Sequence, residues 1–541
     1  LILLSLLPLC SFSQTPKRLG LNFPFRSPDV GSIQYFLNLL QEAHPSYMRQ
    51  MTFADIAWQQ VEPSNNAWSF SRPDSCIKNT LNIAPIPTLY GITAGENDVV
   101  GLQVPWRACS TAGCGWSAAR DSVDSRDYVQ TTVQRYKSYT PYWEISNEMN
   151  TKMKRPLGLP LIDFVAFMKM NYRWIKNTDS QAQVLLPGLL GTCGFPFSSS
   201  CSWLRDYLSA GGGSTFDIMN YHDYNAWWTL PAHYDSVIAS LQKFNLAGRP
   251  IWVTECSISS DASTSLTPSY ASEDEQAADV WRRSACLFGK GAQVFIWHTL
   301  YSSGPGSEWR HFGILDATGK RKKSFYSYKL LEEKIEGFQS AKFLSAGVTS
   351  DNNSSGGSGT WIVEFSWQDG TKRWVLWCPE GTSYTLNGLS RSQVLVTNVV
   401  PISITLDGKA ATTTSAALAV TGGSVKLNVT AKPILVEEVK GATAISPEHA
   451  LAAVQDMTLL QNYPNPFNSQ TMIVFELAQP QAVQLDLYDV LGRPQKQLLN
   501  TVMTSGKHSL PFAADGLASG EYWLQLRSAG LHKTIKMCVI N

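Results

Sequence analysis

From about residue 16 to residue 335, short apolar runs alternate with stretches whose apolar residues recur at helical spacing. The runs Arg18–Phe25, Tyr47–Thr52, Ala84–Tyr90, Tyr142–Asn147, Gln183–Leu190, Phe216–Tyr221, Pro250–Glu255 and Ala292–His298 read as strands. Stretches such as Asp163–Lys176 and Glu273–Phe288 read as amphipathic helices. Strands that alternate with helices predict a parallel sheet. Eight repeats predict a (β/α)8 TIM barrel over residues 16–335, an α/β fold. A doubly wound open sheet would show a Gly-rich first strand–helix turn, and Leu21-Asn22-Phe23-Pro24 supplies none.

At residue 336 the helical period vanishes. The runs Trp361–Trp367, Arg373–Cys378, Ser392–Val399, Ile402–Leu406, Ser424–Thr430 and Ile434–Val439 are β-rich and separated by Gly, Asn, Asp and Ser. They predict an antiparallel β-sandwich over 336–440. Residues 441–456 read as a linker, and a last small all-β module is expected over 457–541. Residues 1–13 are uncharged and almost wholly apolar. They fall short of the roughly 20 residues a spanning helix needs and read as the apolar part of a signal peptide. Ser11-Phe12-Ser13 gives a small-x-small cleavage site, so Gln14 is the expected first mature residue. Leu9 before Cys10 is larger than a lipoprotein signal favours. No other segment approaches the length of a membrane span.

Composition narrows the partners. Forty-four Lys and Arg face 43 Asp and Glu, a net charge of +1, which gives no general hold on nucleic acid or an anionic membrane. Hydrophobic residues reach 44%, enough for real cores and too many for disorder. Eighteen Trp and 20 Tyr suit flat apolar partners such as sugar rings, although cores use them too. Ten Cys in an exported chain permit disulfides, and the short loops Cys109–Cys114 and Cys193–Cys201 are the expected pairs. Cys256, inside a strand, reads as a small buried apolar residue. No zinc spacing is present, and neither metal nor organic cofactor is expected.

Barrel enzymes carry their chemistry at the C-terminal ends of strands. Two acids stand there: Glu148 after the fourth strand, in Tyr142-Trp143-Glu144-Ile145-Ser146-Asn147-Glu148, and Glu255 at the end of the seventh, in Ile251-Trp252-Val253-Thr254-Glu255. Two carboxylates across a groove are what glycosidic cleavage needs. One protonates the leaving oxygen, and the other attacks the anomeric carbon or activates water. Glu144 shares strand parity with Glu148 and lies deeper, which suits a structural partner of a buried cation such as Arg49. His298 is expected to face the helix layer. Trp106, Trp116, Trp227, Trp228 and Trp309 fall in loops and are candidates for stacking on sugar.

This pattern resembles clan A of the glycoside hydrolases, including families 5, 10, 39 and 42. The resemblance implies a retaining β-glycosidase with Glu148 as acid/base and Glu255 as nucleophile. It implies that Asn147 binds the sugar 2-hydroxyl and that Arg49 lies near the nucleophile. It places His222 and Tyr224 after strand six, Tyr224 bonding the nucleophile, and makes Trp297 an aromatic floor under the reacting sugar. His311-Phe312-Gly313-Ile314-Leu315-Asp316, followed by Gly319-Lys320, resembles the clan's ending before its last helix. A carbohydrate substrate, in polysaccharide or oligosaccharide, is implied. An inactive barrel serving carbohydrate binding or adhesion is the competing reading, as is a transglycosylase using the same site.

At the other end, Gln461-Asn462-Tyr463-Pro464-Asn465-Pro466-Phe467-Asn468 resembles the opening of the C-terminal sorting domain of the type IX (Por) secretion system. Leu487-Tyr488-Asp489-Val490-Leu491-Gly492 resembles its central strand and turn, and Leu517 to Trp523 its penultimate hairpin. Pro-Asn-Pro is a turn signal in its own right. The resemblance implies the type IX machinery as a partner and a secreted or outer-surface location.

Overall fold

A computed structural model describes residues 16–23, 33–50, 56, 58–71, 73–74, 88–92, 122–150, 160–191, 202–261, 271–302, 311–347, 357–405, 408–439, 457–460, 462, 464–477, 481–490, 492–503, 506–528 and 531–540. The signal segment, the linker, both expected disulfides and Trp106, Trp116 and Trp309 lie outside these residues. The chain forms two compact units, residues 1–441 and 442–541. Among the described residues, no helix is long and apolar enough to cross a membrane.

The first unit runs β1 (Leu19–Phe23), α1 (Ile33–Ala43), β2 (Tyr47–Gln50), α2 (Trp58–Val61), β3 (Thr88–Ile92), α3 (Ser122–Tyr136), β4 (Tyr142–Ile145) and α4 (Leu161–Thr178). It continues with β5 (Gln183–Leu185), β6 (Leu189–Leu190), α5 (Ser202–Ser209), β7 (Met219–His222), α6 (Leu230–Lys243), β8 (Ile251–Cys256), α7 (Glu273–Lys290), β9 (Val294–Trp297) and α8 (Lys323–Ile335). All nine strands pair in parallel, in the order β5-β4-β3-β2-β1-β9-β8-β7-β6. The expected strand Gln183–Leu190 is two short strands, because Pro187 offers no N–H and Gly188 no side chain. Leu186 N–H donates to the Ile218 carbonyl at 3.0 Å and Ile218 N–H to that of Val184 at 3.1 Å. These bonds tie the end of β5 to Ile218, the residue before β7.

Alternation along the strands sorts side chains into two layers. One set points to the enclosed face: Tyr47, Leu185, Ile218, Trp252, Val294 and Ile296 form an apolar floor with Tyr142. Two residues further along the same strands come Arg49, Glu144, Asn220 and Thr254, all buried and polar. The other set packs against helices; Phe295 meets Phe288 of α7 with centroids 6.3 Å apart. Helix α7 is built to sit deep. Ser272 caps it by accepting from the Glu275 N–H at 3.1 Å, and Glu273, Asp274 and Glu275 fill its first turn. Gly291, at φ +105°, ends it.

A six-stranded antiparallel sheet follows, faced by the two-stranded pair Thr382–Asn387 and Ser424–Val429. Its central strands, Trp361–Ser366, Lys372–Trp377 and Ile434–Val439, are buried on both faces for most of their length. Ile362, Trp374, Leu376 and Val436 point into the core between the sheets. Trp361, Val363, Phe365, Val375 and Trp377 belong to the same core as the helices and the parallel sheet. Apolar packing therefore runs continuously across residue 336. Trp227 is wedged edge-on against Trp361 and Trp377, with centroids 5.2 and 5.6 Å away, and the Arg282 guanidinium lies 5.3 Å from its ring. Trp227 and Trp228 are thus buried under the second sheet and are not available for stacking on sugar.

The second unit has its own apolar core, including Ile473, Leu485, Leu487, Leu524 and Met537, between a three-stranded and a four-stranded sheet. Its opening motif grips the final strand, Leu531–Val539. Asn465 accepts from the Cys538 N–H at 2.7 Å and donates to the Lys536 carbonyl at 3.0 Å. Phe467 N–H donates to the Cys538 carbonyl, and Ile540 N–H to that of Phe467.

Beneath the parallel sheet, Glu332 accepts from the Ser46 N–H and the Tyr328 hydroxyl. Burial first, and the neighbouring Glu336 second, push its carboxyl well above the usual range. A raised carboxyl favours folding below the unfolded-state value, and that contribution is lost as pH rises. Glu332→Gln keeps the acceptor and removes the titration. Its melting temperature should match the parent near pH 4 and exceed it at pH 8, read by calorimetry at both.

Candidate active site

The sheet gathers its polar residues around one guanidinium. Arg49, at the end of β2, is 1% exposed. Its Nε donates to Glu144 Oε2 at 2.7 Å and its Nη2 to Glu144 Oε1 at 3.2 Å. Nη1 reaches Glu255 Oε1 at 2.5 Å and Asn22 Oδ1 at 3.3 Å, and Nη2 also meets Asn147 Oδ1 at 3.0 Å. Burial alone would weaken the charge of Arg49, but Glu144 and Glu255 more than offset this and raise its pKa. Glu144 is the partner of Arg49, as its parity suggests.

Glu255 sits at the bulge where β8 loses register with β7. The bulge lets consecutive residues, Thr254 and Glu255, both face the site. Glu255 Oε1 lies on Arg49, and Oε2 accepts from the Tyr224 hydroxyl. Nδ1 of His298 and Nδ1 of His222 lie 3.3 and 3.5 Å from Oε2. Burial works to raise the Glu255 carboxyl. Its neighbours His222, Arg49 and His298 overcome it and hold the group well below the usual carboxylate range. Burial, then the charges of Glu255 and Glu148, push the Tyr224 hydroxyl far up, so it remains a donor.

Glu148 stands just past β4, where the chain leaves its extended course. Ser146 and Glu148 adopt φ of +66° and +50°. Such left-handed residues cost about 1–2 kcal/mol each. The Glu148 N–H is tied to the Gly188 carbonyl at 3.0 Å. Its Oε1 meets His222 Nδ1 at 2.9 Å. A carboxylate oxygen of Glu148, one of Glu255 and a ring nitrogen of His222 all lie within 4.8 Å of one another. Such a trio offers three atoms to a metal ion, but both Glu255 oxygens are already engaged by Arg49 and Tyr224. The donor set fits a proton and a sugar better than a cation.

Arg49, Asn147, Glu148, His222, Tyr224 and Glu255 are therefore brought together. Trp297 is not. It is fully buried and shares the side of Phe295, 6.4 Å away, against the helix layer. Ile296 points to the enclosed face, and by alternation His298 follows it into the site. The expected phase of the last strand is thus reversed. His298 stands edge-on to Tyr224, with centroids 5.6 Å apart. Asn22, Asn220, Thr254 and Gly188 also line the site without having been singled out. The mark they left in the sequence is a polar residue or glycine in an otherwise apolar strand.

Residues 168–291 match the family model described as glycosyl hydrolase catalytic core, and residues 461–541 match the secretion system C-terminal sorting domain. No curated protein matches the chain in sequence. Among solved structures, a family 39 glycoside hydrolase from the gut symbiont Bacteroides cellulosilyticus is similar at 15% identity and TM-score 0.54, over 79% of this chain and 81% of that one. A monomeric β-xylosidase from Caulobacter crescentus aligns at 14% and 0.52, over 78% and 96%. The catalytic domain of a family 30 xylanase C from Talaromyces cellulolyticus aligns at 14% and 0.51, over 78% and 96%. At these identities the likeness is one of fold.

Gly188 is the most constrained glycine here. Its N–H donates to Glu144 Oε1 at 2.9 Å, and a Cβ on it would stand 1.9 Å from His222 Nε2. Gly188→Ala should displace His222 and lower kcat/KM at least tenfold in a protein that still melts cooperatively, by calorimetry and initial rates. With one stretch matching the glycosyl hydrolase core and its tail matching the sorting domain, the protein is a glycosidase carrying the type IX signal for export to the cell surface or the extracellular space.

Proposed function

We propose that the protein is a retaining β-glycoside hydrolase built on a (β/α)8 barrel over residues 16–335, with a β-sandwich over 336–440 and a detachable sorting tail. The observation that carries this reading is the carboxylate pair, with Glu148 and Glu255 oxygens within 4.8 Å. Retaining enzymes hold their carboxyl groups about 5–5.5 Å apart, and inverting ones need roughly 6.5–9.5 Å to admit water. Glu255 is the nucleophile. Arg49 and Tyr224 keep it ionised and aimed, and its attack forms a covalent glycosyl-enzyme. Glu148 gives its proton to the leaving oxygen and then takes one from the attacking water. Asn147, fixed by Arg49, lies beside the acid where it would meet the sugar 2-hydroxyl.

The substrate is a β-linked polysaccharide or its fragments. Two fold relatives are described as a β-xylosidase and a xylanase. β-Xylosides are therefore the first substrates to try, followed by glucans, mannans and galactans.

Glu255→Gln should abolish turnover of every substrate. Glu148→Ala should lose at least ~100-fold on a poor leaving group and far less on a dinitrophenyl glycoside. Azide should rescue Glu148→Ala as the β-glycosyl azide. Proton NMR of the first-formed product decides the matter, since an inverted sugar or an α-azide would sink the assignment.

No step in this scheme uses a metal. Exhaustive EDTA treatment should leave kcat/KM unchanged on the same substrates. A loss reversed by one specific metal would count against the two-carboxylate mechanism.

A further inference from the structure

Behind Glu148 runs a chain of hydrogen bonds whose directions are fixed by chemistry. It begins at Glu144, whose two oxygens accept from the Arg49 guanidinium and the Gly188 N–H. Asn220 therefore turns its amide nitrogen to Glu144 Oε1, at 2.9 Å, and its oxygen away. That oxygen, Oδ1, accepts the hydroxyl proton of Thr254 at 2.7 Å. A hydroxyl has one proton to give. Having given it to Asn220, Thr254 Oγ1 can only accept from His222 Nε2, at 3.2 Å. Nε2 must then carry hydrogen. The backbone of Thr254 is fixed as well, since its carbonyl accepts from Asn22 Nδ2 at 2.8 Å. Turning the imidazole over would set ring carbons against Glu148 and Thr254 and lose both bonds, so the hydrogen bonds themselves fix its orientation.

The other nitrogen, Nδ1, lies 2.9 Å from Glu148 Oε1. With Nε2 committed, the Glu148–His222 bond holds one further proton. On either atom, it is a proton the pair can release. Were the imidazole in its other neutral form, Nδ1–H would simply donate to an ionised Glu148. The pair would then be one proton short and could not serve as an acid.

We propose that Thr254 and Asn220 are positioning residues for the acid step, committing the Nε2 proton of His222 to Thr254 so that the Glu148–His222 bond carries the proton that leaves with the departing group. This rests on Glu148 being the acid. In the first half-reaction the glycosidic C–O bond breaks, a Glu255 oxygen bonds to the anomeric carbon, and that proton moves to the leaving oxygen. The pair is left with a carboxylate facing a lone pair, an arrangement that favours taking a proton back. In the second half-reaction water bonds to the anomeric carbon, the ester bond breaks, and one water proton returns to the Glu148–His222 bond.

The test is a leaving-group series on Thr254→Val, which keeps the shape of the side chain and removes the acceptor. For a glycoside with a poor leaving group, kcat/KM should fall ~10- to 100-fold, within the reach of general acid catalysis. For a dinitrophenyl glycoside it should change less than about threefold, because that group departs without a proton. Thr254→Ser should restore the first rate. An equal loss on both substrates, or none on the poor one, overturns the proposal. Independently, nitrogen NMR of the imidazole-labelled full chain, assigned by the signal lost in His222→Gln, should show Nε2 protonated at neutral pH. A bare Nε2 overturns the relay even if Glu148 is the acid. If Glu148→Ala itself shows no leaving-group dependence while Nε2 is protonated, the assignment of the acid fails and the relay's geometry stands.

Discussion

Taking a guanidinium and two carboxylates out of water is expensive unless every charge is matched and every donor used. Arg49 meets that condition by spreading its donors over Glu144, Glu255, Asn147 and Asn22. The arrangement sets much else. It fixes Glu144 as an acceptor, which orients Asn220, then Thr254, then His222. It holds one oxygen of Glu255 and leaves the other to Tyr224. A buried pair broken on one side strands its partner, so the cluster makes the reactive geometry and the packing of the sheet a single problem.

The strain at Glu148 belongs to the same economy of position. A strand that continued straight would alternate Glu148 in line with Glu144, two layers up. The left-handed turns at Ser146 and Glu148 instead carry the carboxylate sideways to His222. The contact with Gly188 makes this possible, since the glycine lets its own carbonyl reach the Glu148 N–H while leaving room for the imidazole. Local cost is held by neighbours rather than relieved, a common pattern where reactive groups are fixed.

Much of this was legible in the sequence. Periodicity located the parallel strands within a few residues, and parity placed Glu144 beside Arg49. The split of Gln183–Leu190 was signalled by Pro187-Gly188 but overridden by the apolar run. The error at Trp297 has a definite physical origin. A four-residue strand buried on both faces carries no hydrophobic alternation, so nothing in Val294–Trp297 reports which face is enclosed. Thr254 was hidden for a different reason: a bulge breaks parity, and bulges depend on the neighbouring strand. Trp227 was misread because loop tryptophans suit sugars and cores equally, and only the sheet that covers it decides.

The doubly buried sheet also bears on how such a chain could arise. Modules that recombine freely meet through small, polar, separable surfaces. Trp361, Val363, Phe365, Val375 and Trp377 instead share one core with the parallel strands and α7. A gene fragment encoding either half alone would expose a broad apolar face and be prone to aggregate. The two are therefore expected to be inherited as a pair, whereas the sorting tail has a core of its own and does not share that constraint.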